Sequence, residues 1–110
     1  MNDEIEGKYA YSDGYSGESI SIHDGRYEMC YFSCTGQGIV SSGDYKLESG
    51  DLVLVDPKRG IEYRFSVREG HLIAKHDGYT TDFVKHEDAE GKEIPGAIVY
   101  QNSFLEPPGN

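Results

Sequence analysis

The chain has 110 residues, 36% of them hydrophobic, and carries 20 Asp and Glu against 10 Lys and Arg for a formal charge of -10. That length suits a single domain spanning residues 1–110 with one core, and that acidity would repel a bare phosphate backbone, so nucleic-acid binding is not expected. Met1 to Gly7 holds no apolar signal region and no run is long enough to span a bilayer, so the sequence reads as cytoplasmic with no membrane role.

Turn signals recur about every ten residues, with apolar residues alternating between them. The first strand is expected over residues 7–11, with Tyr9 and Tyr11 on one face, followed by a loop that holds Tyr15. Residues 18–23 form the second, with Ile20 and Ile22 inward. Asp24-Gly25 reads as a two-residue hairpin turn of the kind that needs positive φ. The third strand, 26–35, is apolar on both faces: Tyr27, Met29 and Tyr31 on one, Cys30 and Phe32 on the other. A strand covered on both sides reads this way, as does one that faces a partner. Phe32 is taken as core.

Gly36-Gln37-Gly38 is expected to break the pattern before a fourth strand over 39–48, bent at Ser42-Gly43. The fifth strand spans 52–56. The sixth, 61–68, alternates without exception, from Ile61 through Tyr63 and Phe65 to Val67. The seventh covers 71–76 and the eighth 79–85. Residues 87–93 are a charged loop, and the apolar stretch 97–105 supplies a ninth strand or an arm.

The fold class is therefore all-β. An antiparallel up-and-down meander over residues 7–86 is predicted to close into a small barrel of about eight strands, since closure hides the apolar face and removes sheet edges. A β-sandwich is the alternative. Residues 87–110 add the charged loop and the C-terminal strand or arm.

Little in the chain points to chemistry. Cys30 and Cys34 fall in one predicted strand about 13 Å apart, too far for a disulfide, and read as two reduced thiols on one face. His71 and His76 would point to opposite faces, and no three ligands share a useful spacing, so neither metal nor cofactor is expected. No nucleophile motif, calcium loop or phosphate loop is present, and the protein is not expected to be an enzyme.

Gly7-Lys8-Tyr9, Asp24-Gly25-Arg26-Tyr27, Gly43-Asp44-Tyr45-Lys46-Leu47 before Leu52-Val53-Leu54, and the closing Phe83-Val84-Lys85 resemble the small bacterial lipocalin-like (calycin-type) domains over residues 7–85. The match departs from lipocalins at Tyr9, where that family carries Trp. The resemblance implies an up-and-down barrel whose apolar interior can take a small ligand.

Two functions follow as expectations. The first is a non-enzymatic acidic binding protein, of inhibitor or toxin-immunity type, that engages a basic protein through Tyr15, Glu18, Glu28, Tyr31, Val99 and Tyr100. The alternative is a carrier of a small apolar ligand, walled by Tyr9, Tyr11, Ile22, Tyr45, Tyr63 and Phe65.

Overall fold

The structure is a computed structural model and describes residues 4–76 and 78–97. Its strands are β1 (Gly7–Ser12), β2 (Ser16–His23), β3 (Arg26–Ser33), β4 (Gly36–Glu48), β5 (Asp51–Asp56), β6 (Ile61–Arg68), β7 (His71–His76) and β8 (Tyr79–Glu87). Each pairs antiparallel with the next, and β8 returns to β1, so the meander closes as a barrel and not as a sandwich. The described residues contain no helix.

Local chemistry sets the hairpins. Asp24 and Gly25 take φ of 53° and 79°, and Ser49 and Gly50 take 53° and 85°. Positive φ at both central positions gives a twist that matches the flanking strands. Gly36-Gln37-Gly38 does not break the pattern. These residues pair with Ser33, Phe32 and Tyr31, because the turn at Cys34-Thr35 reverses the chain at once and glycine keeps its ladder groups. Cys34 consequently sits exposed in that turn, while Cys30 is half-buried in β3; both are free thiols, but they do not share a strand face.

Alternation then fills the interior. Tyr9, Ile20, Ile22, Tyr27, Met29, Leu52, Leu54, Phe65, Leu72 and Phe83 form one buried cluster. Each fully buried aliphatic side chain contributes roughly 1.5–3 kcal/mol relative to an exposed one. Val53 points outward yet is also fully buried. Its cross-strand neighbours are Lys46 and Arg64, whose apolar stems cover it while their charged ends reach Glu48, Glu62 and Asp51.

The two ends of the barrel differ. The turns β2–β3, β4–β5 and β6–β7 lie at one end, where residues 4–6 cross the opening. Ile5 joins the core, and the Tyr9 hydroxyl donates to its carbonyl at 2.8 Å. Lys85 Nζ donates to the Glu4 carbonyl at 2.9 Å, and the Asp24 amide donates to the Glu6 carboxylate at 3.1 Å. This end is closed. Burial, and then the neighbouring Tyr45 hydroxyl, push the Tyr9 phenol up to about 12.

One seam is closed by side chains. β4 pairs with β5 only from Tyr45 to Glu48. Val40 is an extra residue opposite the Met29–Cys30 step, and at Gly43 the backbone runs so close to β5 that a Cβ would run into the Val55 carbonyl. Where the β4–β5 ladder stops, the Ser41 hydroxyl donates to Asp56 Oδ2 at 2.8 Å and shares a hydrogen bond with the Tyr27 hydroxyl. Arg59 donates to the Val40 carbonyl at 3.1 Å. Asp56 also accepts from the Lys58 and Arg59 amides. Burial alone would raise its pKa, but the Ser41 hydroxyl, those two amides and the Arg59 charge outweigh it and hold it below the ordinary aspartate value.

After β8, Glu93 bridges back to Glu87 and the Ile94 amide donates to the His86 carbonyl at 2.9 Å. Residues 93–97 thus fold back beside the barrel. The rest of the expected strand or arm, 98–105, lies outside the described residues.

Candidate functional site: the open end of the barrel

The end bearing the turns β1–β2, β3–β4, β5–β6 and β7–β8 has no plug among the described residues, and a cavity of about 450 Å³ enters the barrel there. Its base is aromatic. Phe83 meets Tyr11 edge-on at 5.0 Å and Phe65 edge-on at 5.6 Å, contacts that fix all three rings. Met29, Val40, Tyr63 and Ala74 form the wall, and Glu18, Tyr79 and Thr81 reach it nearer the rim.

Register explains the polar edge. Tyr11 and Glu18 stand directly opposite one another on β1 and β2 and both line the cavity, whereas Tyr31, the next partner across on β3, lines the concavity outside the barrel. Burial, then the charges of Glu18 and Asp13, raise the Tyr11 phenol above its ordinary value. At neutral pH it therefore stays a hydroxyl beside a carboxylate. An apolar ligand entering here meets rings below and, above, Glu18 and the Tyr11 hydroxyl, with Arg64 and Lys75 also lining the cavity.

The expected ligand wall is met in part. Tyr11, Tyr63 and Phe65 line the cavity. Tyr9 and Ile22 do not: they sit toward the closed end under Ile5, fully packed. Tyr45 packs against the core without lining the cavity. Alternation tells which face a residue takes but not its height along the barrel. Phe83, Thr81 and Ala74 were missed, although their parity in β7 and β8 marks them as inward. Val40 had no such signal, because the bulge delivers it.

The expected partner residues separate. Glu18 and Tyr31 are cross-strand neighbours at the rim, and Tyr15 is strongly exposed in the turn beside them. Asp13 holds that turn by accepting from the Tyr15 and Ser16 amides at 2.9 and 2.8 Å, which lowers its pKa. Glu28 is exposed on the outer wall, between Ser21 and Ser42. Val99 and Tyr100 lie outside the described residues.

A second concavity, about 890 Å³, runs outside the barrel between β1–β3 and residues 93–97. Ala10, Ser19, Cys30 and Phe32 face it, which accounts for the second apolar face of β3. Phe32 is therefore half-buried outside the barrel, not part of its core. Its ring lies over Gly17, where a Cβ would meet Phe32 Cζ at 2.7 Å. Burial lowers the His86 pKa, and burial followed by the Glu28 charge raises that of Cys30.

At the closed end, Glu6, His23 and Asp24 bring ligand-type atoms within 4.8 Å of one another. Sequence spacing missed this trio because Glu6 belongs to the crossing segment. His23 and Asp24 are exposed, and the gathering follows from the Asp24–Glu6 hydrogen bond that closes the barrel.

Comparison with protein-family models, with curated proteins and with solved structures finds no match.

Proposed function

We propose that this is a non-enzymatic binding protein that holds a small apolar ligand in the open end of its barrel, in the manner of a lipocalin-like carrier. The carrying observation is the cavity of about 450 Å³ with its Tyr11–Phe83–Phe65 base. It exceeds the roughly 300 Å³ at which small-molecule sites begin. Apolar rings supply affinity, while Glu18 and Tyr11, with Arg64 and Lys75, offer both acceptors and donors to a ligand's polar end.

Titration with the neutral apolar dye Nile red tests this. Saturable, blue-shifted emission is expected, and it should vanish in Ala74→Trp, which fills the cavity. A normal melting curve for that variant shows that the barrel persists. Dye binding that ignores the filled cavity sinks the proposal.

Capture of a basic protein is the second reading. It is favoured by the carboxylates crowding the closed end: Glu4, Glu6, Asp24, Glu69, Asp88 and Glu90. Such a partner should bind in a pull-down at low salt and weaken as salt rises, because exposed charges are screened. Binding indifferent to salt counts against it.

A further inference from the structure

Three seams of the barrel lose their ladder toward the open end: β4–β5 beyond Tyr45, β1–β8 beyond Ala10 and β6–β7 beyond Ser66. The others stay paired as far as that end. Side chains close two of the three. Ser41 joins Asp56 across β4–β5, and the Tyr11 and Phe83 rings meet across β1–β8. The β6–β7 seam has no such closure. Among the described residues, no ladder pair, side-chain hydrogen bond, ion pair or ring contact links residues 61–65 to Ala74 or Lys75.

The cavity marks the same place. On β1, β2, β3 and β8 it is lined only by residues of the inward set: Tyr11, Glu18, Met29, Tyr79, Thr81 and Phe83. On β6 and β7 it is lined by both sets, with Arg64 between Tyr63 and Phe65, and Lys75 beside Ala74. Alternation puts Arg64 and Lys75 on the outer wall. The Arg64 guanidinium is held there by Glu48 at 2.6 Å and Asp51 at 3.1 Å, so it does not fold over the rim to reach the cavity. The cavity reaches Arg64 through the wall. Each lip is fixed on its far side, since Arg64 pairs with Val53 and Lys75 with Thr80. Register continued from Ser66 and Ile73 sets Arg64 opposite Lys75.

We propose that the barrel is slit between β6 and β7, and that this slit is a side entrance to the cavity. Its use as an entrance rests on the carrier reading, whereas the slit itself belongs to the empty protein. Phe65 and Ala74 stand at its foot, just past the last pair. A ligand passing between the strands therefore arrives at the aromatic base without crossing the rim. The lips carry backbone amides and carbonyls that no facing strand takes up, and such groups need a partner. Water serves in the empty protein, and the polar end of a ligand can replace it. The class of ligand that fits is a slender amphiphile. Its apolar end rests on Tyr11, Phe65 and Phe83, and its hydrogen-bonding end lies in the wall.

Stapling the slit tests this. In a Cys30→Ser, Cys34→Ser background, the pair Arg64→Cys, Lys75→Cys forms a disulfide by drawing the lips together. Oxidised, it should slow Nile red entry and exit in stopped flow by about tenfold or more, and reduction should restore both rates. The pair Val55→Cys, Glu62→Cys staples a seam already paired at the same end and should leave the rates unchanged. Residue-resolved amide exchange reads the slit without ligand. Within 61–65, amides turned toward β7 should exchange freely, and those bonded to β5 should be protected. Protection throughout 61–65, or dye rates that ignore the oxidised staple, overturns the proposal while the carrier reading stands. A parent that takes up no dye removes the carrier reading and the entrance with it.

Discussion

At the closed end of the barrel the inward positions hold Ile22, Tyr27, Leu52 and Leu72, with Ile5 laid across them. At the open end the corresponding positions hold Ala74, Thr81 and Glu18. Both ends obey one alternation, but β4–β5 pairing stops at Tyr45 and β6–β7 pairing at Ser66, so these seams of the ladder give out toward the open end. A packed floor and a cup are separated by that loss of pairing, by side-chain volume at a few inward positions and by one crossing segment. Barrels of this strand number are narrow enough for that choice to decide.

The contrast is easiest to break at its packed side. Leu52→Ala should cost about 2–5 kcal/mol in urea unfolding, because a fully buried side chain leaves a void. Val40→Ala, on the cavity wall, should cost about 1 kcal/mol or less, since the space beside it is already open. Equal losses would mean that the two ends are packed alike. Gly43→Ala should cost about 1–3 kcal/mol by driving a methyl group into the Val55 carbonyl.

Two titrations sharpen the comparison. The raised phenol of Tyr9 stays protonated in the fold while the unfolded chain ionises, so stability should be full below pH 10 and fall as pH rises toward about 12. Thermal melts across that window should show a shallower fall in Tyr9→Phe. Asp56 behaves oppositely. Its lowered pKa stabilises the fold above the ordinary aspartate value of 3.8, and that contribution is lost as pH falls through the lower folded value. The acid limb of the stability profile should flatten in Asp56→Asn; an unchanged limb would remove the side-chain seam from the account. Smallest of all, Arg26→Ala breaks an exposed pair with Asp44 and should shift stability by about 0.2–1 kcal/mol, tending to zero in high salt.

Much of this architecture was readable in the sequence. The strands of the meander and the turn at Asp24-Gly25 follow from period-two patterning and turn chemistry, which are local properties, whereas the irregularity in β4 falls at Val40. The site was readable only in part. Tyr11, Tyr63 and Phe65 were found by parity, yet Tyr9 and Ile22 share that parity and lie in the packed half, because strand tilt and the position of Ile5 set height. Glycine misled at 36–38, where composition suggested a break and pairing needed only backbone groups. Val40 depends on a bulge that emerges only when β3 and β4 are placed side by side, and the Ser41–Asp56 seam joins residues whose separation along the chain carries no signal.

The crossing segment at the closed end has a consequence of its own. Three tethers hold it, from Tyr9 on β1, Lys85 on β8 and Asp24 in the β2–β3 turn. Together they span the joint where the first and last strands meet, so the segment acts as a stopper and also as a clasp on the cylinder. Cutting it away would leave a tube in place of a cup, with its one long-range strand pairing unsecured.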